Sequence, residues 1–451
     1  MKTFIQRCDR TKLVRALPFL VTGFLYLFTL AENTDAAKNA FPCVLAMSVF
    51  SFFVTVYFAW RKAPASLVSA VLALTMSGII FGYLVCEVYP VNDSYHLTTF
   101  VIALLAGIAA YLLVPALMKL LDHRSVPLIM LILTAAVYAI LLAAGKDTNG
   151  YGTKAWLSLG GMSFQLTELA KPLSLLFYAS VLTNKEYSSA KKLGLSTVLL
   201  AVNVCGSLAI REMGSFCILL LLHMVLIYVL LADSQLKTKY LGFLVLMLAC
   251  MIPFFMMVYL YLNPCSNAGI LHGISRVLYK FSVKVYERFA VLFRLEKDTQ
   301  GTGFQLRESR LTLLTASLIG PSSVSLSAMP LPQSDVAFAS FTALFGMIPA
   351  CGLIVLYYRI FRSAEQTAMK NVLFNRKQAV VVYGAGLLIL LQAMVNILGT
   401  CNLVPFTGVT LPLISYGSSS QMVTFILLAM ILRVSEQDMK GLEKRPYTFG
   451  F

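Results

Sequence analysis

Residues 98–118 read TTFVIALLAGIAAYLLVPALM, an unbroken run without one charged side chain. At roughly 1.5 Å of rise per residue, about 20 apolar residues in a helix match the roughly 30 Å hydrocarbon thickness of a bilayer. The run is one of many. Others fall near 17–31, 41–60, 65–86, 127–145, 165–183, 193–210, 214–232, 240–262, 338–358, 378–399 and 409–432. Of 451 residues, 59% are hydrophobic and 12% charged, against roughly 25% charged in soluble domains. A single core could not hide that much apolar surface, but lipid solvates it directly. Backbone amides inside hydrocarbon must be satisfied within their own segment, so the spans are helices. A membrane β-barrel would show short alternating segments instead. The expected fold is therefore an all-α polytopic membrane protein with about 12 transmembrane helices.

The formal net charge is +16, and its distribution sets the topology. Basic residues cluster before the first run (Lys2, Arg7, Arg10, Lys12, Arg15) and after every second run thereafter: Arg61 and Lys62, Lys119 and Arg124, Lys185 and Lys191, Lys237 and Lys239, Arg376 and Lys377, Arg433 and Lys440. The short loops between hold few. Cytoplasmic loops carry this excess, so both termini are expected on the cytoplasmic side of the membrane. The first run follows a basic stretch as a signal peptide would, but no small-residue cleavage site follows it, so it reads as a retained span. No nucleic-acid-binding motif occurs. The nine cysteines form no CxxC pair and read as small core residues rather than a metal site.

One connection departs from this pattern. Residues 263–337, on the outer side, carry Arg276, Lys280, Lys284, Arg288, Arg294, Lys297, Arg307 and Arg310. Long loops escape the charge rule, which leaves these residues available for function. Leu278, Phe281, Val285, Phe289 and Phe293 recur at helical spacing, so the loop is expected to contain short interfacial helices.

Polar, Gly and Pro residues concentrate in four segments. In the first, from Trp156 through Gly160, Gly161, Phe164 and Gln165 to Glu168 and Lys171, a carboxylate and an ammonium stand three apart, hence on one helical face. At membrane depth such a pair marks a functional interior or an ion pair that fixes helix orientation. The second holds Tyr286, Arg288, Gly301, Gly303, Gln305, Arg307 and Ser309. The third, Pro330-Leu-Pro-Gln-Ser-Asp335, sets a carboxylate before the next apolar run, as a reactive group or as a helix cap. The fourth runs from Asn396 and Gly399 through Pro405, Gly408, Pro412, Ser415, Tyr416 and Gly417 to Ser420. Its Pro and Gly content implies a re-entrant or broken segment, which survives in a membrane only buried in protein or lining a wet cavity.

In this order the four segments resemble the SEDS family of RodA, FtsW and SpoVE, over about residues 150–434. The matching positions are Trp156, Gly160, Gly161, Phe164, Gln165, Glu168 and Lys171; Pro330, Ser334, Asp335 and Phe338; and Asn396, Pro405, Gly408, Leu411, Pro412, Ser415, Tyr416 and Gly417. Departures are Ala155 for an arginine, Leu166 and Thr167 for Pro-Ser, Glu212-Met-Gly214 for Asp-Leu-Gly, Ser418 for a second glycine, and Ala343-Leu344 for an acidic pair. The resemblance implies a SEDS-type helical bundle with a core of ten helices plus about two extra N-terminal ones. On that basis residues 1–146 form an N-terminal region of about five spans. Residues 147–434 form the core with its large extracytoplasmic loop 263–337, and 435–451 a cytoplasmic tail.

The resemblance further implies a peptidoglycan glycosyltransferase that joins lipid II into glycan strands, with inversion and with undecaprenyl pyrophosphate leaving. It gives Asp335 the role of catalytic base, consistent with a partly buried carboxylate among cations. Arg288, Arg294, Arg307 and Arg310 are candidates for the pyrophosphate, because guanidinium matches phosphate geometry. Glu168, Lys171, Gln165, Ser309, Ser415 and Tyr416 are expected to line the substrate site. Trp156 packs on a sugar or a partner, or anchors at the interface. No cofactor and no dedicated metal ligands can be read; the pyrophosphate chemistry allows a divalent cation such as Mg2+. The implied partners are the nascent glycan strand, a class B penicillin-binding protein transpeptidase and divisome or elongasome proteins. A lipid II flippase and a catalytically weak scaffold for a transpeptidase are the alternatives, the second suggested by the absent acidic pair.

Overall fold

The computed structural model describes residues 2–32, 34–88, 93–147, 153–159, 162–230, 302–321, 329 and 331–443, with isolated positions between 240 and 292. The architecture is helical: α1 (Lys2–Glu32), α2 (Thr34–Trp60), α3 (Ala65–Val88), α4 (Asp93–Leu120), α5 (Val126–Ala144), α6 (Ala170–Leu182), α7 (Ser189–Ile210), α8 (Met213–Leu230), α9 (Thr302–Thr315), α10 (Ala337–Phe345), α11 (Met347–Asn371), α12 (Arg376–Thr400) and α13 (Ser418–Glu443). Among the described residues, nine helices are long and apolar enough to cross a membrane. The run 240–262 lies mostly outside the described residues.

Two runs fold differently from a plain span, and a hairpin stands between two others. The run 338–358 is interrupted at Gly346, whose φ of 91° ends α10 and opens α11. Residues 409–417 are not helical, and α13 begins only at Ser418. Between α5 and α6 the chain makes the one sheet among the described residues, a hairpin pairing β1 (Trp156–Leu159) with β2 (Met162–Gln165) antiparallel, Trp156 opposite Gln165. The described cysteines were expected in the core; Cys205 and Cys351 are exposed, and Cys43, Cys217 and Cys401 half-buried. On helices facing lipid, a thiol needs no core to be out of water.

The chain divides into two compact units. The first holds residues 1–126, 307–401 and 408–451. Its centre is α3 and α12, both mostly buried, while α2 and α4 present most of their surface outward. Phe341 packs tilted against Phe345 (4.7 Å between ring centres) and against Phe81 of α3 (5.9 Å), which seats α10 against α3. At one end of this unit the expected cytoplasmic charges meet. The Arg61 guanidinium lies 2.8 Å from the buried Glu436 carboxylate, which also accepts from the Tyr111 hydroxyl at 2.7 Å. Lys377 pairs with Asp122 and donates to the Leu121 carbonyl at 3.1 Å. α12 opens on a proper cap, Asn375 Oδ1 accepting from the Gln378 amide at 3.2 Å.

The second unit holds residues 127–306 and 402–407. Polar side chains knit its helices: Tyr138 of α5 donates to Asn203 Oδ1 (3.2 Å), and Asn203 donates to Ser174 of α6 (3.0 Å). Gly206 permits this, since a Cβ there would stand 2.3 Å from the Tyr138 ring. Such bonds hold helices together where lipid removes the hydrophobic incentive to pack.

Candidate functional site

The Asp335 carboxylate is positioned by backbone. Residues 331–336 form a turn leading into α10, and Val336 takes its N-cap position, so Asp335 stands just outside the cap. Asn396 of α12, one turn before Thr400, donates to the Asp335 carbonyl (2.9 Å) and to the Val409 carbonyl (2.6 Å). Ser415 donates to the Ser334 carbonyl (2.7 Å) and accepts from the Leu411 amide (2.7 Å); the Tyr416 amide donates to the Gln333 carbonyl (2.8 Å). Gly408, at φ 68°, lies so close that an added Cβ would sit 3.2 Å from Asp335 Oδ2. The third and fourth segments of the sequence therefore form one structure.

The fourth segment is re-entrant, as its composition implies. Tyr357, the eleventh of 25 residues in α11, donates its hydroxyl to the Pro412 carbonyl. Gly78, the fourteenth of 24 in α3, touches the Leu413 carbonyl. Both contacts are at the middle of spanning helices, so Pro412 and Leu413 reach the middle of the unit before the chain returns to Ser418. Leu411, Leu413, Ile414 and Ser415 are buried, which meets the condition for irregular backbone at that depth. Gln392, one turn below Asn396, bonds Thr410 Oγ1 (3.2 Å) and Ser420 (2.8 Å). Gln392 and Tyr357 were not among the expected site residues, although a Gln four residues before an Asn in an apolar helix is a readable signal.

In the same unit, Arg307 of α9 is half-buried and Arg310 exposed, Arg307 lying 3.2 Å from Glu308. Ser309 is buried. Thr312 and Ser340 both reach the Met329 sulfur (3.9 and 3.8 Å), which ties α9 to α10.

The first segment belongs to the second unit. Glu168 sits in a short 3-10 helix, Leu166–Leu169, and Lys171 in the first turn of α6. Their buried side chains form an ion pair at 2.7 Å. Gln165 donates to Glu212 at 3.1 Å, and Ser215 donates to the same oxygen at 2.8 Å. Arg211, with φ 61°, turns the chain so that Glu212 points inward. Burial pushes the Glu212 carboxyl up from its ordinary value; Ser215 opposes this, Glu168 adds to it, and Lys171 opposes it. Glu212 was noted in sequence only as a substituted motif position. Trp156 is half-buried across from Gln165. Arg288 donates to the Phe406 carbonyl within this unit. Arg294, Gly160, Gly161 and Pro330 lie outside the described residues. Among the described residues, no three His, Cys, Asp or Glu side chains group so as to hold a metal ion.

Comparison with known proteins gives consistent matches. The peptidoglycan glycosyltransferase RodA of Mycobacterium tuberculosis is 27% identical over 364 residues, 76% of this chain and 71% of that protein. The probable peptidoglycan glycosyltransferase FtsW of Neisseria gonorrhoeae is 26% identical over 407 residues, covering 84% and 86%. In fold, the chain is similar to Thermus thermophilus rod shape determining protein RodA (TM-score 0.54, 20% identity, 84% of this chain and 98% of that one). It is also similar to a chain from a peptidoglycan synthase complex that coordinates polymerization and crosslinking (TM-score 0.63, 22% identity, 83% and 98%). The family model for FtsW, RodA and SpoVE cell cycle proteins matches residues 65–440, beginning well before the motif-bearing region. The chain belongs to that family.

Proposed function

We propose that this protein is a peptidoglycan glycosyltransferase that polymerises lipid II at the outer face of the cytoplasmic membrane, with Asp335 as its base. The observation that carries this is the placement of Asp335, held through its own carbonyl by Asn396 and pressed against Gly408, in a chain whose family match spans residues 65–440. A base fixed by backbone bonds keeps its geometry through the reaction. In the reaction, the Asp335 carboxylate takes the proton of the acceptor hydroxyl. The hydroxyl oxygen bonds to the donor's anomeric carbon with inversion, and the bond from that carbon to the pyrophosphate oxygen breaks. Arg307 and Arg310 receive the negative charge on the departing undecaprenyl pyrophosphate. Ser415 and Tyr416 act by holding the Asp335 turn through Ser334 and Gln333. Glu168 and Lys171 steady the outer end of α6, and the hairpin with Trp156 and Gln165 is fixed to Glu212.

The end of the first unit that carries Arg61, Lys377 and Glu436 is cytoplasmic, and so are both termini. A transpeptidase of the class B penicillin-binding type is the expected partner, since polymer without crosslinks makes no wall. Substitution Asp335→Asn in reconstituted membranes tests the assignment. Loss of polymer from lipid II, with folding intact, is expected; persistence of polymer overturns the base. If wild-type protein moves lipid II across liposomes yet builds no polymer, it is a flippase. If it builds none but binds its transpeptidase, it is a scaffold.

A further inference from the structure

Beyond the buried Leu306, helix α9 turns Leu311 and Leu314 outward and Ser309 and Thr312 inward. Gln305 is 2% exposed and Ser309 and Thr312 not at all, whereas Leu314 is 72% and the following Leu318 71% exposed. A loop helix bathed in water buries its leucines and shows its polar groups. The outward face of α9 reads Arg307, Arg310, Leu311 and Leu314, at spacings of three, one and three, and the exposed Leu318 follows just past the helix end, so these residues form one stripe. It is basic at one end and apolar at the other, and Ile319 extends the apolar end.

The apolar end is fixed in place. The Ile348 amide donates to the Leu318 carbonyl (3.0 Å) and the Met347 amide to the Ser317 carbonyl (2.9 Å), while the Gly320 amide donates to the Phe345 carbonyl (3.0 Å). α11 and α12 are joined by the short turn 372–375, so Met347 lies at the same end of the unit as Thr400 and Asp335. Ile348 is itself exposed on the outward side of spanning helix α11. The apolar end of the stripe therefore adjoins the lipid-facing surface of a span. Through Met329, the same helix is joined to α10 four residues after Val336.

We propose that this stripe is a docking strip for a polyprenyl pyrophosphate, with the diphosphate on Arg307 and Arg310 and the first isoprene units along Leu311, Leu314 and Leu318. This rests on the glycosyltransferase reading and adds a track for the lipid tail. Two guanidinium groups one helical turn apart match a diphosphate's charge better than the single charge of a phospholipid. Hydrocarbon attached directly to the diphosphate then meets leucine within one further turn.

The test places photoreactive benzoylphenylalanine at Leu314 of the full chain, in nanodiscs of phosphatidylglycerol and phosphatidylcholine with undecaprenyl pyrophosphate added. An adduct with the mass of undecaprenyl pyrophosphate, reduced roughly ten-fold by Arg310→Ala, is expected. Adducts to phospholipid that added undecaprenyl pyrophosphate does not displace would make the stripe a general leaflet contact and overturn the proposal. An adduct to a second protein, or none, would overturn it also. As an independent measure, Leu314→Asn with Leu318→Asn should cut polymerisation of full-length lipid II about ten-fold, yet leave a short-chain prenyl analogue unaffected. Equal loss on both substrates counts against the tail track. If Asp335→Asn abolishes polymer while no prenyl adduct forms, only the docking strip fails. If Asp335→Asn still polymerises, the catalytic reading fails whatever the adduct.

Discussion

Gly78→Ala tests how the re-entrant segment holds its depth. The new Cβ would stand 2.0 Å from the Leu413 carbonyl oxygen, where ordinary contact begins near 3.4 Å, so about 1.4 Å of separation must be found. No rotamer relieves it, because the obstacle is backbone. Leu413 cannot drift alone: Tyr357 holds Pro412, Ser415 spans Leu411 and Ser334, and Asn396 spans Val409 and Asp335. The displacement therefore passes to Asp335. Overpacking of this kind costs about 1–3 kcal/mol, and alanine returns up to ~1 kcal/mol as a better helix former. Net stability should fall by about 0–3 kcal/mol. A misplacement of ~1 Å at a reacting group lowers rate by about 100-fold, so activity should fall far more than stability. The assay is lipid II polymerisation in liposomes beside thermal unfolding of the same preparation. Gly352→Ala serves as control, because that glycine, also in a span, has nothing within 4 Å. If Gly78→Ala polymerises at the wild-type rate, the segment is not held as described.

Tyr357→Phe should leave the buried Pro412 carbonyl without its donor and cost about 1–3 kcal/mol, read as a lower unfolding temperature. Lys171→Ala should cost about 3–5 kcal/mol by leaving the Glu168 carboxylate buried alone, whereas Glu168→Gln combined with Lys171→Met should recover most of it; thermal unfolding of the three proteins decides. Glu212 titrates higher when folded than its ordinary 4.5, so the stability it contributes is complete below that pH and is lost as pH rises through the raised value. Glu212→Gln should flatten that part of the unfolding-temperature profile above pH 4.5, and an unchanged slope would assign it to another group.

The spans were legible because lipid leaves hydropathy as the dominant signal: 65–86 became α3 at Ala65–Val88, and 127–145 became α5. The joining of Asp335 to Asn396, Gly408, Ser415 and Tyr416 was legible only as a shared peculiarity of composition. Which atoms meet depends on α11 and α12 lying side by side, and no local pattern encodes that. The hairpin at 156–165 has alternation around Gly160-Gly161, a fair turn signal, but Glu168 and Lys171 at helical spacing drew the reading toward helix. The split at Gly346 was hidden because a glycine in an apolar run costs little in appearance. Its φ of 91° and the closeness of Ile319 and Leu318 made it obligatory. The outward face of α9 could not be read from Leu and Arg identities alone, since a helix shows its outward side only once packed.

The Arg61–Glu436 contact bears on where this protein can be shortened. The family match begins at Ala65, which invites removal of everything before it. Yet Glu436 is fully buried on α13, and among the described residues Arg61 is its nearest cation, with Arg433 farther off at 3.3 Å. A chain starting at residue 65 would keep every matched motif but leave a carboxylate sealed in the protein with half its neutralising charge removed. Arg61, just past α2 and outside the family match, thus supplies an electrostatic counterpart to α13, and a shortened version should carry Glu436→Gln to remain intact.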